Sequence, residues 1–171
     1  MFLRKTLDWG HHLVKVTYDY MLELAARKNA MLFLFIVAFV ESSFFPIPPD
    51  IMLIPMVLAT PAKAYRIAGL ATVASVLGGY FGYLIGVFGY DLIAKPILTF
   101  YGYMSQFDVF KGYYHEWGAW IVFGAGLTPF PYKVVTIASG VVHLDLLVFT
   151  VASVLARGGR FFLVAWLLKK Y

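Results

Sequence analysis

Apolar and polar positions recur with a helical period through residues 2–28. Leu3, Leu7, Val14, Tyr18, Met21 and Ala25 fall on one stripe; Arg4, Asp8, His11, His12, Lys15 and Asp19 fall on the opposite face. Residues 1–29 are therefore expected to form an amphipathic helix, either lying in a membrane surface or packed on the protein's own cytoplasmic side. From residue 30 the pattern changes. Residues 30–40 are purely apolar and 51–60 predominantly so, but between them stand Glu41, Ser42, Ser43, Pro46, Pro48, Pro49 and Asp50. Each apolar half, about ten residues at ~1.5 Å each, reaches roughly half of a ~30 Å hydrocarbon core. The prolines cannot continue a helix. The pattern predicts a re-entrant hairpin, entering and leaving on one side, with its polar tip at mid-membrane.

Residues 67–94 carry no charge except Asp91 and are long enough to span. Gly78, Gly82 and Gly86 give them two overlapping small-residue steps for close helix packing. A polar, aromatic-rich connector follows over 95–116. The apolar half 117–127, a break at Thr128, Pro129, Pro131 and Lys133, and the apolar half 134–142 come next. The last span, 144–168, carries Arg157, Gly158, Gly159 and Arg160 inside it.

The two breaks match. Pro46, Pro48 and Asp50 repeat the spacing of Pro129, Pro131 and Lys133, and each break is followed by a full-length span. The chain reads as two copies of one unit, 30–94 and 117–168, within a single membrane domain over 30–171. A single span separates two hairpins that each return to their own side, so the second copy is inverted. The predicted fold class is all-α, an inverted repeat of re-entrant hairpin plus transmembrane helix, the pattern of secondary transporters. With both termini cytoplasmic, Arg4, Lys5, Lys15, Arg27, Lys28, Lys63, Arg66, Lys169 and Lys170 lie inside, and only Lys95 and Lys111 outside. Four ordinary spans would produce the same imbalance with the middle loops exchanged. The short halves and the prolines favour hairpins.

Composition agrees. Of 171 residues, 61% are hydrophobic and 13% charged, where a soluble domain carries about a quarter charged. An integral membrane protein is expected, with its net charge of +5 reflecting cytoplasmic loops and anionic lipid, not nucleic acid. Asp8, Asp19 and Glu23 interrupt residues 1–29, so no signal peptide is read there. The absence of cysteine excludes a disulfide framework, a thiolate metal site and a cysteine nucleophile. His11, His12, His115 and His143 have no metal-ligand spacing, and no nucleophile–histidine–acid set is visible. Neither enzyme nor cofactor is expected; membrane lipids are the expected partners, with room for a homo-oligomer.

Five ionisable residues fall at membrane depth: Glu41, Asp50, Lys133, Arg157 and Arg160. Left alone in hydrocarbon they would cost roughly 12–17 kcal/mol together, so they must pair or face water. Two acids against three bases leave one surplus positive charge, which suits an anionic phosphate headgroup. Lys133, Arg157 and Arg160 are the candidate headgroup ligands, and Glu41 and Asp50 the candidate proton carriers. The alternative is that acids and bases neutralise one another and only hold the repeats together.

Glu41, the run Phe45, Pro46, Pro48 and Asp50, Gly140 at the close of the second hairpin, and Arg157 to Arg160 together resemble the DedA family. This is the SNARE-associated Golgi protein (VTT-domain) superfamily, and the chain is most similar to its short YqaA-like bacterial branch. The resemblance covers about 30–168. It implies a multi-pass inner-membrane protein with two re-entrant hairpins, shaped at their tips by Pro46, Pro48, Pro129, Pro131 and Gly140. It also implies transport of a lipid-linked phosphate, an undecaprenyl-phosphate-like carrier or a phospholipid, driven by protons or sodium. Glu41 and Asp50 match the family's acidic pair. The two arginines usual around the second break are replaced by Gly126 and Tyr132, leaving Lys133, Arg157 and Arg160 as candidates to supply the missing charge. A non-transporting protein that supports envelope integrity through interactions is the alternative reading.

Overall fold

Uninterrupted apolar runs favour helix, and prolines stand at the two breaks, although Pro55 is carried inside a helix. In the computed structural model, which describes residues 15–16, 19–21, 23–43, 47–128 and 130–170, every described element is helical. The helices are α1 (Ala30–Ser43), α2 (Asp50–Ala59), α3 (Ala64–Gly89), α4 (Lys95–Phe100), α5 (Met104–Leu127), α6 (Tyr132–Val141) and α7 (Leu146–Lys170). Of the residues named above, Leu3, Arg4, Lys5, Leu7, Asp8, His11, His12, Val14, Tyr18, Phe45, Pro46 and Pro129 lie outside the described ones.

A tight turn at Pro61–Lys63 leads into α3, and a wider π-helical turn at Tyr90–Ala94 joins α3 to α4. Helix is thus continuous over Pro61–Phe100, 40 residues. Among the described residues, this run and α7 are the two helices long and apolar enough to cross a membrane. The connector expected over 95–116 is itself mostly helical. Only 101–103 turn, at Gly102 with φ of +71°, a left-handed conformation that glycine adopts without steric cost. The apolar stretch 117–127 is consequently the end of a 24-residue helix, not an isolated half. Periodicity hid this because Ser105, Gln106, Asp108, Lys111 and Glu116 interrupt the apolar pattern.

Two apolar clusters form. One joins α1, α2, the start of α3 and the end of α7 through Leu34, Leu53, Val57, Ile67, Ala71 and Phe161. The other joins α5, α6 and the start of α7 through Val122, Val135 and Phe149, with Tyr80 and Tyr83 of α3 packed against it. Met21 and Leu24 are buried in the first cluster, so the described part of the N-terminal segment packs on the protein itself.

The small-residue face of α3 sets how near its neighbours lie. A Cβ on Gly78 would overlap the Phe39 carbonyl of α1, and one on Gly86 the Ile137 carbonyl of α6. Gly140 mirrors this from α6, where a Cβ would overlap the Tyr83 carbonyl. Gly140 therefore lies on the α3–α6 contact near the end of α6, away from the break at 128–131. Such close backbone approach is what small residues at helix interfaces permit.

Candidate functional site

Between the two apolar clusters lies a polar layer. It begins where the broken segments stop. Helix α1 ends at Ser43, and α2 starts at Asp50 with Pro49 as its N-terminal cap. An acid in the first turn of α2 is favoured by the partial positive charge of a helix start. Helix α5 closes at Thr128 with extended backbone, and α6 starts at Tyr132 behind Pro131. Glu41, Asp50 and Lys133 thus sit within a turn or so of a helix end.

All five ionisable residues singled out from the sequence line one cavity of about 230 Å³, together with Pro48, Pro49, Phe130 and Pro131. Helix α7 brings Arg157 and Arg160 to it from one face, three positions apart. Each acid pairs with one of them. The Arg157 Nη2 donates to Glu41 Oε2 at 2.7 Å, where the two side chains are 2% and 15% exposed. Arg160 donates to Asp50 and, through its other terminal nitrogen, to the Thr128 carbonyl at 3.3 Å. Asp50 Oδ1 is buried and has no hydrogen-bond partner among the described residues.

Arg157 is the most enclosed of the five. Its Nε donates to Ser75 Oγ at 2.7 Å. Ser75 exchanges a 2.6 Å hydrogen bond with Ser42, whose hydroxyl also donates to Glu41 at 3.1 Å. The guanidinium carbon stands 4.9 Å from the centre of the Tyr132 ring and 4.8 Å from that of Phe161, within the range of cation–π attraction. The Tyr132 hydroxyl donates in turn to Ser153 Oγ at 2.5 Å.

The third base differs. Lys133 lines the cavity but forms no ion pair among the described residues, so the surplus positive charge of the cluster resides there. Gly126 and Tyr132, the positions without arginine, both adjoin Arg157: a Cβ on Gly126 would lie 3.6 Å from Arg157 Cδ. A guanidinium from α7 occupies the space beside them. Sequence reasoning missed Ser42, Ser75, Ser153 and Phe161. Ser75 had a legible signal, since with Gly78, Gly79, Gly82 and Gly86 it follows one face of α3. Pro48 and Pro131 lie at the breaks as expected, while His115 bonds the Val142 carbonyl at 2.8 Å, outside this cavity.

Over the described residues these features define an all-helical protein with two helices of membrane-crossing length and a charged cavity between two proline-broken segments. The chain is 39% identical to an uncharacterized protein of Haemophilus influenzae over 86% of its own length and 77% of that protein's. It is 40% identical to an uncharacterized protein of Histophilus somni over 90% of its own length and 82% of that protein's. It belongs to the family these two represent. No family model matches the chain, and no solved structure matches it.

Proposed function

We propose that this is an inner-membrane transporter of a lipid-linked phosphate, a member of the DedA superfamily in which two re-entrant hairpins meet at mid-membrane as inverted repeats. The observation that carries this reading is the cavity: five ionisable side chains converge on it, two ion pairs use up four of the charges, and Lys133 is left over. Charges are too costly at membrane depth to collect there without a task or a partner. Polar side chains (Ser42, Ser75, Ser139, Ser153, Arg157) are buried, whereas large apolar ones such as Phe88, Leu147 and Leu155 face outward. That distribution suits a hydrocarbon surround better than water.

In this mechanism Lys133 and Arg160 meet the phosphate first, because they are the more accessible cations. The Oδ1 of Asp50, without a hydrogen-bond partner among the described residues, is the proton acceptor. Protonation of Asp50 frees Arg160 for the phosphate, and deprotonation restores the pair and expels the ligand. A proton or sodium gradient would supply the direction. Glu41 and Arg157 form the enclosed second pair, whose hydrogen bonds to Ser75 and Ser42 also join α1, α3 and α7 mechanically. Reconstitution in liposomes with a labelled lipid phosphate tests the reading. Wild-type protein is expected to move the label across the bilayer, and Asp50→Asn to abolish movement while still inserting. Unaltered movement in Asp50→Asn and in Glu41→Gln would leave the charges a purely structural role, as in a protein that supports the envelope without transporting.

A further inference from the structure

The charged cavity does not end at its polar lining. Phe130, exposed by 52%, lines both that cavity and a separate groove of about 460 Å³ between α5 and α6. Thr128, in the groove wall, adjoins the cavity through its carbonyl, which accepts a hydrogen bond from Arg160. From there the groove runs along Ala125, Ile121 and Ala138 toward Tyr114. The stretch of α5 from Tyr114 to Thr128 is about 21 Å long at 1.5 Å per residue. Its hydroxyls are already occupied: Thr128 donates to the Gly124 carbonyl at 2.8 Å, and Tyr114 bonds the Val135 carbonyl at 3.2 Å and Ser139 at 2.9 Å. What remains is an apolar trough that opens at one end on a cationic site.

A small free anion would use only the cationic end and leave the trough empty. A molecule with an anionic head and a long hydrocarbon chain matches both parts at once. We infer that the α5–α6 groove holds the hydrocarbon chain of the same molecule whose phosphate head occupies the cavity at Lys133 and Arg160, with Phe130 at the junction. This rests on the head-group reading above and deepens it: the ligand is recognised by its chain as well as its charge.

The structure supplies a way to block the groove alone. A Cβ built on Gly124 meets nothing within 4 Å, so a large side chain there fills groove space without displacing a helix, and leucine also favours helix more than glycine does. The probe is a long-chain alkyl phosphate bearing a mid-chain diazirine, photolysed with the full chain in phosphatidylcholine vesicles and mapped by peptide mass spectrometry. Labels are expected to concentrate on 121–138. They should fall about tenfold in Gly124→Trp and Gly124→Leu, and by a similar factor in Lys133→Gln, where a charge-assisted contact is lost. The matching uncharged alcohol should label these residues no better than the outer face of α7 at Leu147 and Leu155. Labelling that falls in Lys133→Gln but persists in both Gly124 variants overturns the groove and keeps the head-group site. Labelling that falls in the Gly124 variants but is unchanged in Lys133→Gln overturns the single-ligand inference and the head-group reading with it. Equal labelling of α7 and the groove also overturns the inference.

Discussion

The guanidinium of Arg157 is 2% exposed, so its charge has to be balanced inside the protein. Glu41 supplies the balancing charge, Ser75 Oγ accepts a hydrogen bond from Nε, and Tyr132 and Phe161 flank the guanidinium. Removing one partner of a buried pair strands the other, which costs about 3–5 kcal/mol, whereas replacing both with apolar groups of similar volume is often neutral. Glu41→Gln and Arg157→Leu are each expected to lower stability by about that amount, and the double variant Glu41→Leu with Arg157→Leu by much less. The second pair is more exposed, with Arg160 at 25% and Asp50 at 18%. Asp50→Asn should therefore cost less than Glu41→Gln. Unfolding of the purified variants under one set of conditions checks the order, and an equal cost for both acids would show that enclosure does not set it. The sequence identified all five charges but not their pairing. Pairing depends on which turn of α7 faces which break, and that is decided by packing across more than a hundred residues of chain.

At the level of elements, the glycines of α3, α5 and α6 divide into those pressed against a backbone and those in open space. Gly78, Gly86 and Gly140 stand against backbone carbonyls, which cannot swing away as a flexible side chain can, whereas a methyl group added at Gly112 on α5 would meet nothing within 4 Å. Overpacking of this kind costs about 1–3 kcal/mol, while Gly→Ala in open helix gains up to ~1 kcal/mol from propensity. Gly86→Ala and Gly140→Ala are expected to destabilise by that larger amount and Gly112→Ala to stabilise slightly, as read by thermal unfolding. A neutral Gly86→Ala would mean that α3 and α6 can separate freely. Small-residue spacing at 78, 82 and 86 was legible because it is local and periodic. The helical character of 95–100 and 104–116 was not, since its charged and aromatic residues mask the apolar period while leaving helix propensity intact.

Across the whole molecule, α3 and α7 pass through both apolar clusters while α1 with α2, and α5 with α6, each attach to one. The two broken segments thus flank a shared pair of long helices. Which side of a bilayer each segment returns to is a separate matter: the basic residues balance equally well for hairpins and for four complete crossings. Lys63 separates the two arrangements. It follows α2, a helix of 10 residues spanning only about 15 Å at 1.5 Å per residue, half of a ~30 Å hydrocarbon core. If α1 and α2 form a re-entrant hairpin, Lys63 shares the cytoplasm with Lys170; if together they make one complete crossing, it lies outside. The chain contains no cysteine, so a single cysteine in place of Lys63 is a unique reporter, and another at Gly102 marks the opposite side. Membrane-impermeant thiol reagent applied to intact cells is expected to label Gly102→Cys and to leave Lys63→Cys untouched until the membrane is opened. Labelling of Lys63→Cys in intact cells would remove the first hairpin, and with it the inverted repeat proposed above.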